Sequence, residues 1–227
     1  MIKQNQAQIY LASARRQWLT QGYDCWSTLN FDNHQERTEK ACGVLFLFDY
    51  QILAPNHTTT IVTQADCLYY LIPLYGGINL KDEQRNEKLI LTQQAKQIVS
   101  KEETQFEISN PFEQNVSYLL IGFKSKNTEL ENQLLDFDFG EKNQLFPLFE
   151  NKLATAFIAH FDVRKEAHYQ LKNKENGIFT YIIQGAFEFE NRLLETADAL
   201  SIQGVETVEW EALSENAMLI LIETPLS

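Results

Sequence analysis

Apolar and polar positions alternate along much of this chain, and one phrase of strand, turn and strand occurs twice. Tyr69–Leu80 (YYLIPLYGGINL) runs an aromatic-aliphatic stretch into a small-residue turn and leaves it through a second apolar stretch; Phe179–Phe189 (FTYIIQGAFEF) repeats the design. Downstream of each copy lies an alternating segment, Lys96–Val99 and Ala199–Ile202. Each half then closes on an aliphatic run, Tyr118–Phe123 and Met218–Glu223. Such runs predict β-strands. Further strands are predicted at Gly43–Phe48, with Gln51–Ala54 continuing it after a short interruption, and at the β-branched stretch His57–Thr63. Phe106–Ile108, Ala154–Phe161 and Tyr169–Leu171 read the same way, and Ser109-Asn110-Pro111 signals a turn. A repeat about a hundred residues long is the size of a domain, not of a solenoid unit. Short strands punctuated by turns give a sandwich or barrel, so two related β-domains are expected.

Between the halves, Lys124–Asn151 is charged and rich in Asn and Gln. Leu130, Leu134 and Leu135 predict a short amphipathic helix covering a barrel end. The later run Leu145–Phe149 is too apolar for a free tether and is expected to pack on the domains. The expected division is a barrel over residues 1–125, a partly helical linker over 126–151, and a second barrel over 152–227.

The 227 residues, 44% of them hydrophobic, suffice for two cores. A net charge of −12 with scattered basic residues argues against direct nucleic-acid binding. Cys25, Cys42 and Cys67 are odd in number and show no CxxC spacing, as free thiols in a reducing compartment would. The N-terminus lacks the apolar core of a signal peptide, and no run approaches the roughly twenty apolar residues that span a bilayer. A cytoplasmic protein without membrane contact is the expectation. No phosphate loop or nucleophile elbow occurs. Cys67 is expected to be buried and inert, since the sequence shows no neighbouring cation to lower its pKa.

The run Ala14–Tyr23 (ARRQWLTQGY) followed by Ser27-Thr28-Leu29-Asn30-Phe31 resembles the opening of pirin-like proteins. Tyr75–Asp82, Asn110-Pro111, Ile183–Phe189 and Ala197–Leu200 extend the likeness over nearly the whole chain. The resemblance implies a bicupin: an all-β chain of two antiparallel jelly-roll cupin barrels. Some members carry a metal in the first barrel and degrade quercetin as dioxygenases, and the second barrel is metal-free. The metal-bearing members hold the ion with a His-x-His pair and a later His-x-Glu pair. Counted back from Gly76, the first pair falls on Val62 and Gln64; counted back from Asn110-Pro111, the second falls on Phe106 and Ile108. Only Gln64 offers a ligating atom, whereas a divalent ion needs several convergent imidazole or carboxylate ligands.

The expectation is therefore a pirin-like bicupin with no metal or other cofactor, its pocket at Val62, Gln64, Phe106 and Ile108 filled with hydrocarbon. It would be non-enzymatic and bind a protein partner or an apolar small molecule. Two other readings stay open. A quercetinase-type dioxygenase would use a relocated site, built from His57, Gln64 and Glu107 or from His160, His168 and Glu166. Metal-independent chemistry, such as sugar epimerisation, would set His168 against Tyr169 or Tyr181.

Overall fold

The computed structural model describes residues 6–30, 42–125, 129–138 and 140–226, all of it strand and turn except for one short 3-10 turn, Ala12–Ala14. Phe31, His34 and residues 126–128 of the expected linker lie outside the described residues. The chain forms two compact units, and every strand pairing is antiparallel.

The first barrel comprises Arg16–Ala41 and Leu45–Phe137. Its larger sheet runs, in spatial order, Gln133–Asp136 (β12), Gln94–Ser100 (β9), Cys67–Tyr75 (β6), Val116–Lys124 (β11), Leu45–Leu53 (β4), Tyr23–Asn30 (β3) and Arg16–Leu19 (β2). The smaller sheet runs Thr58–Thr63 (β5), Thr104–Ser109 (β10), Gly77–Lys81 (β7) and Glu87–Leu91 (β8). Side chains of both sheets meet in one core that includes Leu53, Leu71, Ile78, Ile98, Ile108 and Tyr118.

The second barrel comprises Met1–Arg15, Cys42–Val44 and Asp138–Ser227. One sheet runs Gln6–Tyr10 (β1), Ala199–Gln203 (β19), Asn176–Gln184 (β16), Ala217–Pro225 (β21), Thr155–Phe161 (β14) and Phe146–Glu150 (β13). The other runs Glu166–Gln170 (β15), Thr207–Ala212 (β20), Ala186–Phe189 (β17) and Arg192–Glu195 (β18). Their core is aromatic at its centre: Phe189 stacks on Trp210 at 5.6 Å, and Phe161 meets Trp210 edge-on at 5.9 Å.

The doubled phrase of the sequence is a doubled topology. The order β9-β6-β11-β4 in one barrel reappears as β19-β16-β21-β14 in the other, and β5-β10-β7-β8 reappears as β15-β20-β17-β18. The turn at the centre of each phrase is a glycine in the left-handed region, Gly76 at φ +74° and Gly185 at φ +82°. That backbone costs glycine little and other residues much.

The units do not follow the expected linear division at 125 and 152, and the reason is the sheet edge. An unpaired edge exposes a row of backbone donors and acceptors. In the first barrel the edge at β9 is capped by β12, which comes from the expected linker. In the second the edge at β19 is capped by β1, which comes from the start of the chain. Where a helix was expected over Leu130–Leu135, Leu134 and Leu135 instead lie on the strand Gln133–Asp136 and Leu130 precedes it. Leu134 packs on the core, Gln97 Nε2 donates to the Glu131 carbonyl at 2.7 Å, and Gln94 Nε2 donates to Asp136 at 2.8 Å. Three leucines at helical spacing were outweighed by the hydrogen bonds that β9 had on offer. At the other end, Tyr10 packs on Phe179 with ring centres 6.0 Å apart, and the Ala12 amide donates to Asp198 Oδ1 at 2.7 Å.

Candidate functional site in the first barrel

Strand β5 settles the register by its alternation. Ile61 and Thr63 are buried and Thr59 is half-buried, while Thr58, Thr60 and Val62 are exposed. Opposite them on β10, Phe106 and Ile108 are buried. Phe106 pairs with Ile61 and Ile108 with Thr59. The inward positions shared by these two strands are therefore Thr59, Ile61 and Thr63 on β5 and Thr104, Phe106 and Ile108 on β10. Phe106 and Ile108 face inward, and one parity step moves the other pair from Val62 and Gln64 to Ile61 and Thr63, giving the set Ile61, Thr63, Phe106 and Ile108. Val62 is 53% exposed on the outer face, because successive side chains of a strand point to opposite sides. Gln64 lies beyond the end of β5, where Lys124 Nζ donates to its Oε1 and its amide donates to the Tyr69 hydroxyl at 2.9 Å.

The corrected set fits a metal no better. One hydroxyl and three hydrocarbon side chains offer no imidazole, thiolate or carboxylate, the groups that bind first-row ions. Ile61, Phe106 and Ile108 belong to the packed core of this barrel.

The relocated sites do not assemble either. His57 and Gln64 stand at opposite ends of β5, seven residues and so roughly 23 Å apart along an extended strand. Glu107 faces outward, its Oε1 3.4 Å from Lys81 Nζ. His57 is exposed, with Nδ1 3.1 Å from the Pro55 carbonyl. Its ring lies over Gly22, where a Cβ would fall 1.7 Å from His57 Cδ2. In the second barrel His160 and His168 do not form a hairpin pair, since β14 and β15 belong to different sheets. His168 sits on the outer face opposite Glu209. Tyr169, the neighbouring position, points the other way and donates to Glu223 Oε2 at 2.7 Å, and Tyr181 is buried with its hydroxyl accepting from Arg15 at 3.3 Å. His168 therefore faces neither tyrosine. Among the described residues, no three His, Cys, Asp or Glu side chains are grouped to hold a metal ion.

Cys67 is buried, as expected, but it does have a cation beside it: Lys124 Nζ lies 3.8 Å from its Sγ and 4.5 Å from the Phe46 ring centre. Burial raises the thiol pKa and outweighs the lowering by Lys124. The lysine is 57 residues away in sequence, which is why local reading missed it.

The larger omission is polar. The interruption expected at Asp49-Tyr50 is not one: β4 runs straight through and carries Asp49 and Gln51 inside, 6% and 2% exposed. Across the sheet, Cys25, Gln51 and Tyr118 stand in one row, and Ser27 and Asp49 in the next. The Ser27 hydroxyl donates to Asp49 Oδ1, and the Cys25 and Gln51 side chains lend Asp49 further hydrogen bonds. Burial nonetheless pushes the Asp49 carboxyl up to about 7. Burial likewise raises the Tyr23 and Tyr118 phenols, helped by the neighbouring Cys25. A lone acidic residue between apolar runs was the available signal.

Two outer surfaces stand out. On the first barrel Tyr75, Leu89, Leu91 and Phe112 are 57%, 44%, 43% and 37% exposed. Leu91 and Phe112 both lie over Gly77, where a Cβ would be 2.8 and 3.3 Å from them. On the second barrel an acidic depression of about 430 Å³ is lined by Glu166, His168, Glu188, Glu190, Glu209 and Glu211 among others.

Two antiparallel jelly-roll units with repeated strand order define a two-barrel cupin protein. The comparisons make it more specific. Residues 151–224 match the family model of the quercetinase C-terminal cupin domain. The fold is similar to bacterial pirin YhhW from Escherichia coli, solved in complex with nickel(II), with a TM-score of 0.85 at 12% identity over 98% of this chain and 100% of that one. It is similar also to quercetin 2,3-dioxygenase from Acinetobacter baumannii, with a TM-score of 0.74 at 13% identity over 96% of this chain and 79% of that one. YhaK from Escherichia coli gives 0.72 at 15% identity over 94% and 95%. No curated protein matches the sequence. The fold over nearly the whole chain is thus that of pirin-like cupin proteins, and its C-terminal part matches a cupin-domain family. No helix among the described residues is long and apolar enough to cross a membrane.

Proposed function

We propose that this chain is a pirin-like bicupin that has given up the metal site of its first barrel and acts by binding rather than by catalysis. The observation that carries the reading is the inward set Ile61, Thr63, Phe106 and Ile108, where pirins that hold a metal present histidines and a glutamate. Three of the four are hydrocarbon and are packed into the core. Loss of a whole donor set marks a site replaced by packing.

The occupant of the binding function is a protein partner or an apolar small molecule. The exposed group Tyr75, Leu89, Leu91 and Phe112 supports the protein, because contiguous apolar surface on a folded domain marks contact sites. The three buried free cysteines support a reducing, cytoplasmic setting. Nucleic acid is disfavoured by the charge of −12.

The test is elemental analysis of protein purified without added metal, followed by incubation with quercetin in the presence of iron, copper or nickel. The expected result is no stoichiometric transition metal and no ring opening. A stoichiometric ion, or turnover with any of the three metals, refutes the reading.

A further inference from the structure

The inward residues of β5 and β10 are mostly hydrocarbon, but the inner face of the larger sheet carries the opposite chemistry. Cys25, Ser27, Asp49, Gln51 and Tyr118 form a polar patch there, all under 10% exposed. Two of its atoms have no partner within the protein: Gln51 Oε1 and the Tyr118 hydroxyl. Buried polar atoms are nearly always satisfied, and each orphan costs as much as a lost hydrogen bond.

The orientation of Gln51 is explained by its neighbour. Its amide lends a hydrogen bond to Asp49, which commits the NH2 group and leaves Oε1 turned away. Flipping the amide is no remedy, since it would set oxygen against a carboxyl and strand the NH2. Tyr118 stands directly opposite Gln51 in register. Its phenol carries one hydrogen to donate, while Gln51 Oε1 can only accept. What satisfies both must accept one hydrogen bond and donate another from one small centre. A metal or ammonium ion cannot take the phenol proton. A carbonyl or anion cannot donate to Gln51. A hydroxyl group does both.

We infer that the polar inner face of the first barrel is a hydroxyl-binding site, in which one O–H group bridges Gln51 Oε1 and Tyr118. The hydroxyl belongs to a water molecule or to a small alcohol. This inference is independent of whether the barrel ever holds a metal, since it uses the facing sheet.

Crystals of the wild-type protein grown without alcohols test it directly. The expected result is an electron-density peak within hydrogen-bond distance of both Gln51 Oε1 and the Tyr118 hydroxyl. Soaking with 2-bromoethanol separates the sources. A bromine anomalous peak beside the site assigns it to alcohols, and an unchanged water-sized peak assigns it to water. Absence of any peak, or a direct Gln51–Tyr118 hydrogen bond, overturns the inference. In solution, a double-mutant cycle of Gln51→Met and Tyr118→Phe should show coupling of about threefold or more in the unfolding constant. Additive effects of the two substitutions overturn it as well.

Discussion

Glu223 offers the sharpest test of how the second barrel is held. The carboxylate is 2% exposed on β21 and takes four hydrogen bonds. Oε2 accepts from the Tyr169 hydroxyl at 2.7 Å and the Lys172 amide at 3.0 Å. Oε1 accepts from the Asn173 amide at 3.0 Å and Asn176 Nδ2 at 2.7 Å. It thus closes the turn between β15 and β16 from inside. Glu223→Gln keeps the shape but turns an NH2 group against two of the four donors, whichever oxygen it replaces. Hydrogen bonds to charged groups contribute about 1.5–3 kcal/mol each. The expected loss is about 3–5 kcal/mol, as for breaking one side of a buried ionic contact. In thermal unfolding that is a fall of roughly 6–20 °C. Burial alone would raise this carboxyl, but its donors, Tyr169 foremost, outweigh burial and hold it below the ordinary value. A depressed carboxyl stabilises above its unfolded pKa of about 4.3, and that contribution fades as pH falls through the folded value. Wild type and variant should therefore converge in acid. Urea titrations at neutral pH and at acid pH measure both effects. A variant within about 1 kcal/mol of wild type at pH 7, with the same m-value, would refute the reasoning.

Asp49 carries the opposite sign. Its carboxyl rises from 3.8 to about 7, so the folded state holds the proton more tightly than the unfolded chain. Stability should fall by about 4 kcal/mol between roughly pH 4 and 7, and Asp49→Asn should remove that slope in urea titrations across the range. Gly185→Ala places a Cβ at φ +82°, 2.2 Å from Ser214 Oγ and 3.1 Å from Ala217. Calorimetry should show a loss of about 1–3 kcal/mol or more. Glu166, Glu211 and Glu188 stand directly opposite one another on three adjacent strands, and among the described residues the row's ion pair is Arg164–Glu211 at 3.2 Å. Glu166→Lys should gain about 0.2–1 kcal/mol in low salt, and less in high salt, by chemical denaturation.

The strands, their doubling and the two barrels were legible in the sequence because they rest on local chemistry. Alternation fixes which residues share a face, β-branched and aromatic residues favour extended backbone, and glycine permits the turns at Gly76 and Gly185.

Parity itself was not legible. A gap-free count from a distant turn places Val62 inside, and only the pairing of Ile61 with Phe106 shows it outside. The edges were hidden for a similar reason. Nothing local to Gln6–Tyr10 or Gln133–Asp136 says which strand each will cap, since that is decided by an unpaired edge formed far along the chain. The polar patch required three strands to be laid side by side before Cys25, Gln51 and Tyr118 became neighbours. By itself the sequence determined the repeated strand pattern. Only the tertiary structure decided which residues face inward, which edges are closed, and that the polar chemistry of the first barrel lies on the inner face of its larger sheet, because register and adjacency are set by hydrogen bonds between residues remote in the chain.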